Sequence, residues 1–229
     1  MNNRPTRPPL RSQKEPMLNV EDPAPFWLVT VLLMCHLAYV MAPNSYQGFA
    51  SQAGLLAAND GHVILEGRPL GNISTLLTHT LLHAGWGHVL MNCGFILAFG
   101  IITIRGVKSK TIPILSVVRR GSATFLAIFI LGAIAGGLGQ WLHWYVTGAN
   151  GVALGASTGG AALFASAAWV IGGRERLISF GVILVVLDIF NIMMGGHPAW
   201  AGHLGGYLAG AGLAILWVRP NSSGMSIFG

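Results

Sequence analysis

The feature that most restricts the fold of this chain is a succession of long apolar segments that contain almost no charge. Only 9% of the residues are charged, whereas soluble domains carry about 25%. A soluble protein with a mean hydropathy of +0.62 would leave too much apolar surface in water. We therefore predict an all-α integral membrane protein whose solvent is the lipid bilayer.

Each apolar segment is close to the roughly 20 residues that a helix needs to cross a bilayer. We predict six transmembrane helices, at about 26–41, 83–104, 123–146, 156–172, 177–194 and 199–218. They form a membrane domain at 25–219, between a polar, proline-rich tail at 1–24, expected to be disordered, and a short tail at 220–229. A cleaved signal peptide is the alternative for the first segment, but the long tail with acidic residues favours a retained helix.

The basic residues indicate the orientation of these helices. With the N-terminus inside, every Lys and Arg of the 13 in the chain except Arg68 falls on the cytoplasmic side. Such a bias is typical of inner loops, and it predicts that the N-terminus and C-terminus are both cytoplasmic. The net charge of +6 does not indicate a nucleic-acid partner, because the basic residues flank the apolar segments instead of covering one polar surface.

Polar and ionisable residues inside the predicted spans are the candidates for function, because such groups are costly in lipid. Three spans carry them near their outer ends. They are His79, His83, His88 and Asn92 at the start of the second span, Ser157 in the fourth and His203 in the sixth.

Four of these residues are predicted to lie at one depth. Counted from the arginine at the inner end of each span, His88, Asn92, Ser157 and His203 lie roughly 20–26 Å above the inner boundary. A serine hydroxyl needs a general base, and His203 is the candidate. The side chains of His88 and Asn92, with the Ser157 N–H, are candidate donors to an oxyanion. The set therefore indicates acyl transfer within the membrane.

Simpler interpretations exist for several of these residues. Small residues in membrane helices most often serve close packing between helices. This interpretation applies to the Gly-Ala-Ser run before Thr158 and likewise to Gly202, Gly206 and Gly210. His36 and His143 are expected to be structural. A metal or haem site built from the histidines has no carboxylate in the second span and leaves Ser157 without a role, so we predict no metal and no cofactor.

Asp188, in the predicted fifth span, is the one acidic residue inside a span. We expect it to pair with a buried donor such as Asn191 or to face a wet cavity. The less favoured alternative is that it orients His203 as the third member of a triad.

The polar segments resemble the motifs of the rhomboid family of intramembrane serine proteases. THTLLHAGWGHVLMN is similar to the second-helix signature, Gly155–Ser157 to the nucleophile motif, and GHLGGYLAG to the helix that carries the histidine. The motifs also follow the order of the family along the chain.

The resemblance implies a six-helix bundle in which a Ser157–His203 dyad cleaves transmembrane or juxtamembrane segments of other membrane proteins. It implies an oxyanion hole of His88 and Asn92, with His83 and His79 in support. It also implies a multi-pass protein of the cell membrane, the inner membrane in a Gram-negative bacterium.

Two positions depart from the family pattern. Thr158 stands where a glycine usually follows the nucleophile, and Ala161 stands where many members have a tyrosine. These residues keep open an alternative function, a catalytically inactive rhomboid-like protein that binds membrane helices. The sequence does not indicate an oligomeric state.

Overall fold

The computed structural model describes residues 22–42, 53–56, 73–107, 120–149 and 151–220. These residues are helical except for one pair of short strands and the connections. In chain order the elements are α1 (Ala24–Met41), β1 (Leu55–Leu56), α2 (Thr75–Thr78), a 3₁₀ turn (His79–Leu81), α3 (Trp86–Arg105), α4 (Arg120–Thr147), β2 (Val152–Ala153), α5 (Ser157–Met193) and α6 (Trp200–Trp217). The strands pair antiparallel, with Leu55 opposite Ala153.

Four of the described helices, α1, α3, α4 and α5, are long and apolar enough to cross a membrane. Their outward surfaces carry large apolar side chains; on α5, for example, Val186, Ile189 and Phe190 are each more than half exposed. Such a surface is unfavourable in water and is the ordinary surface of a helix in lipid. The protein is therefore a multi-pass membrane protein.

The helix α5 contains a sharp break. Gly172 and Gly173 have non-helical backbone angles inside this 37-residue element, and Gly173 has φ +58 and ψ −139, a conformation that only glycine adopts easily. The sequence predicts a loop between two spans here, at 173–176. That prediction is wrong in its extent, because Arg174, Glu175 and Arg176 are already helical and two glycines suffice for the break.

The second predicted span begins later than expected. Helix α3 starts at Trp86, so His79 and His83 do not belong to it. His79 opens the 3₁₀ turn, and His83 lies in the connection that follows. The chain is extended at Leu82 and at Gly85, where it changes direction before α3, and an apolar pattern does not register such a turn. The segment between the first two predicted spans lies largely outside the described residues.

Small residues allow α4, α5 and α6 to pack closely. A side chain at Gly206 would collide with the carbonyl oxygen of Thr158, and one at Gly210 with the backbone of Ala162. On α4, a side chain at Gly136 would meet the Gly202 carbonyl at 2.6 Å. The packing interpretation of the glycines is therefore confirmed, and this packing brings the start of α6 against the start of α5.

The first described residues are tied to the start of α4. Asp22 is buried and accepts a hydrogen bond from the Ser122 hydroxyl. A carboxylate near the first turn of a helix interacts favourably with the helix dipole. The remainder of the predicted tail, 1–21, lies outside the described residues, as does most of the C-terminal tail, 221–229.

Candidate active site

Ser157 lies at the start of α5, directly after a backbone turn that brings β2 into the helix. Gly155 has φ +120, which disfavours any side chain there. A Cβ atom at Gly155 would also lie 2.7 Å from Cε1 and 2.8 Å from Nε2 of His88. The glycine therefore lets the backbone before Ser157 approach the imidazole of His88.

The Ser157 hydroxyl forms a hydrogen bond with His203, with 2.9 Å between Oγ and Nε2. The other ring nitrogen of His203, Nδ1, lies 2.8 Å from Oδ1 of Asp188. An ionised carboxylate can only accept, so Nδ1–H donates to Asp188, and Nε2 is left to accept the proton of Ser157. The three side chains form one chain of hydrogen bonds.

The expected pairing of Asp188 with Asn191 is wrong. Asp188 binds His203, which was the less favoured alternative. A straight helix from Ser157 to Asp188 would be about 46 Å long. Because His203 contacts both residues, the break at Gly172 and Gly173 must turn the second part of α5 back beside the first. The sequence left this pairing open as an alternative, but it did not indicate that the two side chains face each other.

His88 and Asn92 lie one turn apart on the same face of α3, beside Gly155. A Cβ atom at Gly155 would be 3.5 Å from Nδ2 of Asn92. Asn92 is 3% exposed, and its Nδ2 has no hydrogen-bond partner within the described residues. A buried amide donor without a partner is costly, so this group is available to a ligand atom next to Ser157.

The N-terminal end of α5 adds a backbone donor to the same place. The first N–H groups of a helix have no partner in the helix, and they carry the positive end of its dipole. Ser157 is the first residue of α5, so its N–H belongs to this set. The side chains of His88 and Asn92 lie beside Gly155, two residues earlier in the chain.

His83 and His79 hold the backbone around Ser157. Nε2 of His83 accepts the N–H of Ala156 at 3.3 Å, and its ring packs edge-on against His88 with 5.1 Å between centroids. The His79 carbonyl accepts the N–H of Gly155 at 3.0 Å. Both histidines are 1% exposed, so their contacts are protected from water.

Thr158 fits the site through contacts that the sequence does not reveal. Its hydroxyl donates to Nε2 of His79 at 3.1 Å, while Nδ1–H of His79 donates to the Thr75 carbonyl at 2.8 Å. Its methyl group faces Gly136 and Gly202, where any side chain would collide or crowd. The extra atoms of Thr158 therefore replace a glycine without displacing the helices.

The other expected structural histidines are in apolar surroundings. The ring of His36 is buried against Trp86, with 4.7 Å between centroids, and His143 packs against Trp200 at 4.8 Å. Across the described ranges, no three His, Cys, Asp or Glu side chains converge as metal ligands would.

Comparison with known proteins agrees with this geometry. Residues 70–220 match the model of the Rhomboid domain. The chain is also 29% identical over 203 residues to Rhomboid-like protease 1 of Toxoplasma gondii, a match that covers 84% of this chain and 59% of that protein. The chain thus spans about three fifths of the length of this curated relative. Since the domain model covers well over half of the chain, with Ser157, His203, His88 and Asn92 inside it, the protein belongs to the rhomboid family.

Proposed function

We propose that the protein is an intramembrane serine endopeptidase that cleaves transmembrane or juxtamembrane segments of other membrane proteins. The observation that carries the proposal is the 2.9 Å hydrogen bond between Ser157 Oγ and His203 Nε2 at the start of α5. A serine and a histidine in this contact are the nucleophile and general base of acyl transfer. Membership of the rhomboid family supports the same reaction.

In the first half of the reaction, Ser157 Oγ attacks the carbonyl carbon of the scissile peptide while its proton passes to Nε2 of His203. The carbonyl oxygen becomes an oxyanion, which the side chains of His88 and Asn92 and the N–H of Ser157 stabilise. Hydrogen-bond donors that are in place before the reaction starts usually make the largest single contribution to stabilising such a transition state. His203 then gives its proton to the peptide nitrogen, the C–N bond breaks and an acyl-serine remains.

In the second half, water attacks the acyl carbon and gives a proton to Nε2 of His203. The same donors stabilise the second oxyanion. The ester bond breaks, the proton returns to Ser157 Oγ, and the new C-terminus leaves. His79 and His83 act indirectly, because they hold the backbone at Gly155 and Ala156 that positions Ser157.

We also propose six membrane crossings with the N-terminus and C-terminus in the cytoplasm. The parts of α5 on either side of its break, 157–171 and 174–193, would be the fourth and fifth crossings, since the direction of the chain reverses between them. Arg174 and Arg176 follow the break, as expected for an inner loop. The site then opens toward the outer face of the cell membrane.

The alternative is a rhomboid-like protein that binds membrane helices without cutting them. Thr158 and Ala161 motivate it, because both depart from the family pattern next to the nucleophile. The hydrogen bond of Thr158 to His79 and the space left by Gly136 and Gly202 argue against a disrupted site. The protease is therefore the better supported function.

The test is labelling of the purified protein by a fluorophosphonate probe, together with cleavage of a membrane-anchored reporter in proteoliposomes. The wild type should be labelled and should cleave, whereas Ser157→Ala and His203→Ala should do neither. Ser166→Ala is the matched control, since Ser166 is a buried serine of the same helix whose hydroxyl has no partner within the described residues. It should behave as the wild type.

Two outcomes would contradict the proposal. Cleavage by Ser157→Ala at the wild-type rate would exclude Ser157 as the nucleophile. A folded wild type that is neither labelled nor active would favour the inactive binding protein.

A further inference from the structure

We infer that Asp188 is a positioning residue that extends the proposed Ser157–His203 pair to a Ser157–His203–Asp188 triad. The inference rests on the proposed function and concerns how its general base is oriented. It assigns a role in the reaction to a carboxylate that lies outside the family motifs found in the sequence.

The carboxylate of Asp188 lies within an apolar helix. Asp188 is the one acidic residue of the predicted spans, and the residues on either side of it, Leu187 and Ile189, are about half exposed on the lipid-facing surface. The side chain of Asp188 is only 14% exposed and that of His203 17% exposed. A carboxylate at this depth is costly unless it is paired, and its partner is Nδ1 of His203.

Asp188 also determines which ring nitrogen of His203 carries the proton. A neutral imidazole carries its proton on either nitrogen, and only the form with the proton on Nδ1 can accept from Ser157. The bond to Asp188 selects that form, because Oδ1 lies 2.8 Å from Nδ1 and can only accept. Without the carboxylate, His203 would spend part of its time with the proton on Nε2, where it cannot act as a base.

Asp188 also provides a counter-charge for His203 during the reaction. When His203 takes the proton of Ser157 it becomes an imidazolium, and a carboxylate in contact with it stabilises that charge. The imidazole of His88, which lies beside Gly155, brings no negative charge to the site. On α4 the neutral side chain of Gln140 accepts the N–H of Gly202, the residue before His203.

The residues one helical turn after Ser157 and His203 do not hold the imidazole ring of His203 in place. Ala161 lies one turn after Ser157 on α5, and a methyl group offers no surface on which an imidazole can stack. Tyr207, one turn after His203 on α6, has its hydroxyl bound to the Leu177 carbonyl. Within the described residues, the ring of His203 makes two hydrogen bonds, to Ser157 and Asp188, and these orient it.

The experiment compares Asp188→Asn, Asp188→Ala and Asp188→Glu by reporter cleavage and fluorophosphonate labelling. Asp188→Asn should lower kcat on the order of 10²-fold to 10⁴-fold with little change in KM. Asp188→Glu should recover part of the rate. The rates are referred to the amount of folded protein, so a loss of stability alone would leave kcat unchanged.

Asn191→Ala is the control, since Asn191 lies one turn further along α5 and is exposed. It should keep the wild-type kcat and KM. A readout that needs no catalysis is the ¹⁵N NMR signal of His203 in the wild-type protein, which should report a proton held on Nδ1. Detection of the form protonated on Nε2 alone would overturn the inference, even if every Asp188 variant failed to fold.

Failure of this inference differs from failure of the proposed function. If Ser157→Ala is inactive while Asp188→Asn keeps kcat within twofold, the protease stands and the triad is wrong. If the wild type neither cleaves nor is labelled, both are wrong.

Discussion

Thr158 offers a sharp test of how the site is built, because one substitution separates its hydrogen bond from its packing. Thr158→Val keeps the shape of the side chain against Gly136 and Gly202 and removes the hydroxyl that donates to His79. Nε2 of His79 is then left in a position that is 1% exposed, without a donor. An unsatisfied buried polar group costs about 1–3 kcal/mol, so the free energy of unfolding should fall by that amount.

Thr158→Gly, which restores the residue usual in the family, should be worse than Thr158→Val. It removes the same hydrogen bond, empties the space beside Gly136 and Gly202, and adds part of the backbone cost of a glycine in a helix, which is about 1 kcal/mol relative to alanine. Reversible unfolding in mixed micelles, measured for both variants, gives the two values.

A double-mutant cycle isolates the bond between Thr158 and His79. With His79→Phe as the second substitution, the coupling energy should be about 1 kcal/mol or more in favour of the wild-type pair. If Thr158→Val is as stable as the wild type, or Thr158→Gly is more stable, the hydrogen bond stabilises nothing and our explanation of Thr158 is wrong.

Two further predictions concern packing and the oxyanion donors. Gly206→Val should lower the free energy of unfolding by about 2 kcal/mol or more, because its Cβ would collide with the Thr158 carbonyl. Gly212→Ala is the control, because no atom lies within 4 Å of the added Cβ, and it should change the free energy of unfolding by less than about 0.5 kcal/mol. Equal effects in the unfolding assay would contradict the close packing of α6 on α5. Asn92→Leu should lower kcat by about 10²-fold to 10³-fold, with KM and stability nearly unchanged, since Nδ2 of Asn92 has no partner in the described residues to lose. Reporter kinetics decide this, and a fall in stability with unchanged kcat would show that Asn92 is structural.

The positions of the membrane helices were predictable because each depends on a local property. The predicted spans 26–41 and 123–146 lie within α1 and α4 and fall short of their ends by at most three residues. Transfer of an apolar segment into lipid is favourable whatever surrounds it, so its energy can be summed along the sequence. The candidate residues emerged in the same way, since a serine or histidine in an apolar span is costly wherever it lies.

Departures from the predictions occur where the backbone leaves the regular helix. The sequence predicts His83 in the second span, whereas the chain is extended at Gly85 and α3 begins at Trp86. The sequence predicts a loop at 173–176, whereas Gly172 and Gly173 alone make the break in α5. Hydropathy describes the environment of a residue and carries no information on its φ and ψ angles.

The sequence by itself determined that this chain is a helical membrane protein, and it predicted a common depth for Ser157, His203, His88 and Asn92. Only the tertiary structure decided which of these side chains face one another. That Asp188 binds His203, and that Thr158 binds His79, depends on how far each helix is rotated about its axis and how closely it approaches its neighbour. Those quantities are set by contacts between small residues on different helices, such as Gly206 against Thr158, which no single segment of the sequence contains.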